Sequence, residues 1–311
     1  MVWLLAWPEV LGSSLATTLC QILLECRKGA SDVNATLQAP WIKRLPSPLY
    51  KAAAQVWIDK KYPRHLFIET TAACNLECSY CPRESLKNHM DFSLFQRVVD
   101  EATSYGPRSF SLHLFGEPTL YPYCWDAIRY IKRTNARHTV LLTTNGTTLN
   151  ARVNNLIESN PDLVLWSWRP EAVFTAQTKE KLRRWGKFRV RFIKEITPQE
   201  AYEQWHDWPN VEGRQLHNYG ATIDLSAYTL PENAVPGANR NATSNSRWPC
   251  YHLWLAPAVA WNGNILLCCA DPHQKEVLGH FPEMSVHEAW TGRQLGRIRD
   301  SHLNGTYSGI C

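Results

Sequence analysis

A chain of 311 residues with 44% hydrophobic and 20% charged side chains has the composition of a folded protein, long enough for one large α/β domain and a smaller module, and excludes a disordered one. Its net charge of +5 is mild, and short basic runs such as residues 179–184 read as solvated helix faces, so no nucleic-acid partner is expected. Ten cysteines is a high count; because they cluster instead of spreading as a disulfide framework, metal binding in a reducing cytoplasm explains them better than oxidation does.

The N-terminal stretch is apolar from Met1 to Trp7, and residues 10–26 carry apolar side chains at roughly helical spacing. Ser13, Ser14, Thr17, Thr18 and Gln21 interrupt it, so no apolar run reaches the ~18 residues a spanning helix needs, and no transmembrane segment is expected. No basic segment precedes it, which argues against a secretory signal. A helix docked on the domain is the expectation, with a helix lying at a membrane surface as the alternative. Pro40, Pro46 and Pro48 mark an irregular connection, and a helix over 49–60 ends at Tyr62-Pro63. Residues 1–62 thus read as a helical preface.

From residue 63 the pattern alternates. Strands are expected at 66–71, 110–115, 140–144, 163–167 and 189–193, helices at 93–105, 123–134, 150–159, 174–185 and 198–208, and a candidate sixth strand at 211–216. Such alternation implies parallel βαβ units. Six are too few for a closed eight-stranded barrel and suit an open one, so residues 63–220 read as an α/β core, a partial (β/α)6 TIM-type barrel. A polar, poorly patterned linker, 221–246, separates it from a small C-terminal α+β module, 247–311.

Ligand groups in barrel folds sit on the loops after the strands. The loop after the first strand carries Cys74, Cys78 and Cys81 at C-x3-C-x2-C, spacings short enough for three sulfurs to converge without closing a large loop. Three thiolates are too few for a closed structural zinc site and suit an iron–sulfur cluster with one iron left open. A zinc knuckle or three core cysteines is the plainer alternative. After the second strand comes Phe115-Gly116-Glu117-Pro118, where glycine admits close backbone approach and glutamate offers an acceptor. After the third comes Thr144-Asn145-Gly146, in the first place a turn, and after the fourth Trp166-Ser167-Trp168-Arg169. Lys194 and Glu195 follow the fifth.

These segments, in this order, resemble the radical S-adenosylmethionine (SAM) superfamily, in which C-x3-C-x2-C carries a [4Fe–4S] cluster whose fourth iron chelates SAM. The resemblance implies that Cys74, Cys78 and Cys81 are cluster ligands and that Tyr80 lies near the adenine. It also implies that Gly116, Glu117 and Pro118 receive the SAM amino group, that Asn145 lies near the cofactor, and that Ser167 meets the ribose or carboxylate. Phe115 replaces the family's usual first glycine, and Trp166 and Trp168 replace small residues.

Further on, Cys250 precedes a hairpin expected at 258–261 and 264–267 around Asn262-Gly263, and Cys268-Cys269-Ala270-Asp271 follows it. Helices are expected at 285–290 and 293–302, and Cys311 comes last. This order is similar to the SPASM or twitch extension of radical SAM enzymes, and the similarity implies a second [4Fe–4S] cluster with Cys250, Cys268 and Cys311 among its ligands. A zinc ribbon is the alternative. His252, His273, His280, His287 and His302 lack the paired spacing of metal ligands, and Cys20, Cys26 and Cys124 read as buried thiols.

What the resemblance implies chemically is one-electron reduction of the first cluster, cleavage of SAM to methionine and a 5′-deoxyadenosyl radical, and abstraction of hydrogen from an unactivated C–H bond. If the auxiliary cluster takes the next electron the substrate is oxidised. If a thiol returns a hydrogen the product is an epimer, and Cys269 is the candidate donor, its plainer reading being a packed cysteine. The expected substrate is a small molecule such as a sugar or aminocyclitol intermediate of natural-product synthesis. A peptide maturase is the alternative, disfavoured because residues 1–62 lack the helix-helix-strand-strand pattern of a peptide-recognition domain; a non-catalytic metal-binding module is the third. A flavodoxin- or ferredoxin-type electron donor is the implied partner.

Overall fold

The computed structural model describes residues 61–84, 86–193, 196–209, 211–214, 250 and 252–306. The expected preface up to residue 60, the whole linker, Lys194, Glu195 and Cys311 lie outside the described residues. The described residues all belong to one compact unit.

Six parallel strands make the core: β1 (His65–Ile68), β2 (Ser109–Ser111), β3 (Thr139–Thr144), β4 (Leu163–Ser167), β5 (Phe188–Ile193) and β6 (Val211–Arg214). Each is paired to the next in order. Between them run α1 (Phe92–Ser104), α2 (Cys124–Thr134), α3 (Leu149–Ser159), α4 (Ala176–Trp185) and α5 (Gln199–Trp205). The helix ends follow local chemistry. The Asp91 carboxylate accepts from the N–H groups of Ser93 and Leu94 at 2.8 and 3.2 Å to start α1, and Thr175 caps α4 through Thr178 N–H. The expected partial barrel with parallel strands is what forms. Its second strand is shorter than expected and ends at Ser111, although Leu112 N–H still donates to the Leu141 carbonyl at 3.1 Å.

Period-2 alternation sorts each strand into two faces. Leu66, Ile68, Phe110, Val140, Leu142, Val164, Trp166, Val190 and Phe192 are buried together with Phe95, Val98, Val99, Ile128, Ile131, Leu156 and Leu182 of the helices. That layer is the hydrophobic core. The opposite, concave face is mixed: it bears His65, Ser111, Thr143, Ser167 and Arg191 beside Phe67, Leu141, Leu165 and Ile193. Trp166 packs against Phe174, Phe188 and Trp205, and Trp168 against Phe192, so both tryptophans face the helices and leave Ser167 on the concave side.

The C-terminal segment does not stand apart. After α6 (His252–Leu255), β7 (Ala258–Val259) pairs parallel with β1, Phe67 opposite Ala258 and Ile68 opposite Val259. The expected hairpin follows: β8 (Asn264–Leu266) runs antiparallel to β7, with Gly263 at φ +92° in the turn, where an L side chain would be strained and its Cβ would lie 2.5 Å from the Phe281 carbonyl oxygen. A third strand, β9 (Val277–His280), was not expected and extends the ladder. The result is one nine-stranded sheet in the order β6-β5-β4-β3-β2-β1-β7-β8-β9. Helices α7 (Val286–Thr291) and α8 (Arg293–Leu303) close the chain, α7 starting in a capping box of Ser285 and Glu288.

Candidate functional site

The cysteine loop leaves the C-terminal end of β1 and is fastened on both sides. Ala72 N–H donates to the Asn88 carbonyl and Met90 N–H to the Thr70 carbonyl, both at 2.9 Å. Arg83 closes the loop by donating to the Leu76 carbonyl at 2.7 Å, and Cys81 N–H donates to the Cys78 carbonyl at 2.9 Å in a tight turn. The three thiols are half-buried, take part in no disulfide, and each of the outer two feels the charge of Cys78. Burial above all pushes the Cys74 and Cys81 thiols up, so their thiolates need a cationic partner. Among the described residues no three His, Cys, Asp or Glu side chains converge on a single ion position. Three thiols on one short loop are too few for a closed structural zinc site and suit an iron–sulfur cluster with one iron left open.

The Gly116-Glu117-Pro118 segment braces this loop. A Cβ on Gly116 would overlap the Thr71 carbonyl and lie 2.9 Å from the Ala73 carbonyl oxygen, and Glu117 N–H donates to that Ala73 carbonyl at 2.8 Å. The buried Glu117 carboxylate accepts from four donors: Thr119 N–H (3.1 Å), Thr119 hydroxyl (2.6 Å), Thr144 hydroxyl (2.7 Å) and Asn145 N–H (2.6 Å). Its side chain thus ties the β2 loop to the β3 loop. Burial raises its pKa, and these donors oppose the rise. Pro118 begins the short 3-10 turn that Glu117 caps.

Asn145 closes the circle. Its side-chain amide donates to Asn75 Oδ1 at 3.0 Å and reaches the Cys74 sulfur at 3.8 Å, while its own carbonyl accepts from Trp166 Nε1 at 3.0 Å. Tyr80 packs on Ile193 and Cys78, with the Arg169 guanidinium 5.0 Å from its ring centroid; burial raises the phenol's pKa. Ser167 faces Arg191 across the β4–β5 register. The structure therefore gathers Cys74, Gly116, Glu117 and Asn145 around one loop, with Tyr80 on its inner flank.

Glu69, buried where the chain leaves β1 for the loop, carried no role in the sequence analysis. Its two carboxylate oxygens accept from Phe115 N–H and Trp261 N–H, both at 3.4 Å, so it joins the β2 loop to the β7–β8 hairpin. Burial carries its pKa up to about 7 against only those two weak bonds.

In the C-terminal segment Cys268 and Cys269 lie in contact, and Ala270 N–H points at the Cys268 sulfur at 3.2 Å. Cys250 precedes α6, whose His252 reaches the Cys269 sulfur at 3.9 Å through Nδ1. His252 also lies beside Phe67 of β1, ring centroids 6.3 Å apart, which connects the cysteine pair to the concave face of the barrel. Cys250 N–H approaches His302 Nδ1 at 3.5 Å. His252 and His302 thus stand next to the cysteines, although their spacing in sequence signals no metal site. Cys124 is a buried thiol in α2, as expected, whereas Cys20 and Cys26 lie outside the described residues.

Residues 68–167 match the model of the radical SAM superfamily, and residues 250–311 match that of the SPASM iron–sulfur cluster-binding domain, together just over half of the chain. The chain carries a radical SAM domain and a SPASM domain. Its first domain implies a [4Fe–4S] cluster and SAM, and its second implies further iron–sulfur ligation. This radical SAM chain is 28% identical over 194 residues to the tungsten-containing aldehyde ferredoxin oxidoreductase cofactor-modifying protein of Pyrococcus furiosus, over 54% of this chain and 52% of that protein, so it spans about half the length of that curated relative. Its fold is similar to that of BtrN, crystallised with AdoMet and 2-DOIA (TM-score 0.59, 18% identity, 79% of this chain and 89% of BtrN). It is equally similar to Streptococcus suis SuiB bound to its precursor peptide SuiA (TM-score 0.59, 18% identity, 81% of this chain and 70% of SuiB). Among the described residues no helix is long and apolar enough to cross a membrane.

Proposed function

We propose that this radical SAM enzyme oxidises a small molecule held on the concave face of the barrel. Cys74, Cys78 and Cys81 hold the [4Fe–4S] cluster in this reading, and Cys250 and Cys268, with Cys311 or Cys269, hold an auxiliary one. The observation that carries it is the placement of the two thiol groups on one sheet: the C-x3-C-x2-C loop leaves β1, and His252 links the Cys268–Cys269 pair to Phe67 on that same strand. When bound, the clusters and SAM supply an electron, a radical that removes hydrogen from a C–H bond, and an acceptor for the electron left behind.

The chain's own residues position and enclose. Gly116 and the Glu117 N–H hold the cysteine loop against β2, and Glu117 fixes the β3 loop so that the Asn145 amide lies on Cys74. With its carboxylate filled by four protein donors, Glu117 acts as a brace, and because the Glu117 and Pro118 carbonyls already accept from Leu120 and Tyr121 N–H, the Gly116 carbonyl is the acceptor offered to an ammonium group. Tyr80 offers a buried aromatic face to adenine, and Ser167 a hydroxyl at the barrel mouth. Glu69, sited between cysteine loop and hairpin and titrating at about 7, is suited to accept a proton as a hydroxyl is oxidised. Where Cys311 completes the auxiliary site, Cys269 is a spare thiol beside that cluster. Were it the hydrogen donor, epimerisation would replace oxidation.

The test is anaerobic reconstitution with iron and sulfide, beside a Cys74/Cys78/Cys81→Ala triple variant. Two four-iron clusters predict about eight irons in the wild type, about four in the variant, and 5′-deoxyadenosine from the wild type alone. Zinc in place of iron, with no SAM cleavage, would overturn the reading. Transfer of substrate deuterium into 5′-deoxyadenosine with formation of a carbonyl product would establish oxidation, and solvent hydrogen at an inverted carbon, lost in Cys269→Ala, would establish epimerisation.

A further inference from the structure

The concave face holds two polar groups that the cysteine loop and its braces leave unused. Thr143 lies between Leu142, a core side chain, and Thr144, whose hydroxyl serves Glu117, so alternation turns the Thr143 side chain inward. His113 follows Ser111 by two residues, and its ring meets that of Phe67 edge-on at 5.7 Å, which puts it on the same face. The β2–β3 register sets Ser111 opposite Leu141, and Leu112 N–H still donates to the Leu141 carbonyl. Carried two residues further, that register brings His113 level with Thr143. On the other side Phe67 pairs with Ser111, so Glu69 comes level with His113.

His113 Nδ1 and the Thr143 hydroxyl are buried, and among the described residues neither meets a hydrogen-bond partner. Burial above all, then the charge of Arg191, carries the His113 pKa down to about 3, so its imidazole is neutral, one ring nitrogen donating and the other accepting. Arg191 itself is ion-paired with Glu212. Imidazole and hydroxyl are thus each both donor and acceptor, and the group that matches them is a third of that kind, an alcohol. An ammonium offers donors alone and a carboxylate acceptors alone, and either ion would give up its water for two groups that return no charge. The two side chains leave adjacent strands about 4.8 Å apart, a gap that one oxygen spans with two hydrogen bonds of about 2.8 Å.

We infer that His113 and Thr143 form a subsite for an alcohol hydroxyl of the substrate, one strand from Glu69. The substrate is then an uncharged polyol, with one hydroxyl anchored here and another presented for oxidation. The inference rests on the proposed function for the identity of the ligand as substrate and for the role of Glu69, while the subsite itself rests on the placement of these two side chains.

Saturation-transfer NMR on the reconstituted, SAM-loaded protein tests it, with myo-inositol and glucose as neutral probes and succinate as an anionic one. At least one polyol should bind. Thr143→Val removes the hydroxyl at nearly constant shape, and His113→Phe removes both ring nitrogens while keeping an aromatic ring beside Phe67. Each should weaken the polyol about fivefold to tenfold. His113→Asn returns an amide near the position of Nδ1 and should recover part of that loss. Because the Thr143 hydroxyl is unpaired in the free protein, Thr143→Val should leave the melting temperature unchanged or raise it, whereas loss of a structural hydrogen bond would lower it. Polyol binding absent from the wild type, or unchanged in both apolar variants, overturns the inference. So does a lowered melting temperature in Thr143→Val, and so does succinate bound in place of the polyols and lost in the same variants, which would assign the pair to an anion. Cluster content and SAM cleavage of the wild type are read separately: their failure overturns the enzyme assignment, while polyol binding still reports on the subsite.

Discussion

Replacing Glu69 by glutamine should remove a large part of the pH dependence of stability between about pH 5 and pH 8. The carboxyl is 5% exposed, has no cation beside it, and receives two backbone N–H groups at 3.4 Å, too long to offset its desolvation. Its pKa therefore rises from an ordinary 4.5 to about 7. At about 1.4 kcal/mol per pH unit that difference is worth about 3 kcal/mol. The sign follows from the direction. A raised folded-state pKa means the folded protein binds this proton more tightly, so the contribution is fully present below pH 4.5 and lost as pH rises through about 7. Paired anaerobic urea melts of wild type and Glu69→Gln at closely spaced pH values should show the two stabilities changing relative to each other by about 3 kcal/mol, the wild type falling faster. Infrared spectra should show a protonated carboxyl band that bleaches with a midpoint near 7 and is missing from the variant. A constant stability difference across the range, or a band already bleached at pH 5, would refute the reasoning.

Gly116→Ala should displace the cysteine loop, since its Cβ would occupy the position of the Thr71 carbonyl; iron and labile-sulfide content should fall by about half while the auxiliary cluster survives. Glu117→Ala leaves the N–H groups of Thr119 and Asn145 buried without an acceptor, at about 1–3 kcal/mol each, and differential scanning should register a lower melting temperature. Asn145→Leu removes an amide from the Cys74 sulfur and should lower the reduction potential of the first cluster, read by an EPR-monitored redox titration with the auxiliary potential as internal control. Trp166→Ala empties a site enclosed by Phe174, Phe188 and Trp205 and should cost roughly 3–5 kcal/mol in a urea melt.

Much of the architecture was legible because the strands are apolar runs punctuated by turns: Leu163–Ser167 forms as expected to the residue. The short strands were less so. Val277–His280 is four residues with a histidine at its end, too brief for periodicity to register, and the pairing of β7 with β1 depends on contacts that no local pattern encodes. At the site, the cysteines and the Gly116–Pro118 turn announced themselves by spacing. Trp166 and Trp168 looked like obstacles beside Ser167, but strand alternation alone sends them to the other face. The same alternation was a signal passed over in β5, where Arg189 and Arg191 fall between Phe188, Val190 and Phe192 and so mark a charged concave face. Glu69 had no such signal: its partners Phe115 and Trp261 are distant in sequence.

The pairing of β7 with β1 also sets the order in which the molecule can be made. Trp261 reaches Glu69 across 192 positions of chain, and Phe67 and Glu69 donate their N–H groups to the Pro257 and Val259 carbonyls. During synthesis from the N-terminus, β1 must therefore wait beside β2 with its other edge open until residues 257–259 have emerged. The cysteine loop that hangs from β1 is held on an unfinished scaffold for that interval. Iron delivery to this loop is thus coupled to completion of the C-terminal segment, and ribosome-bound chains halted before residue 257 should fail to retain iron there even though all three of its cysteines are already present.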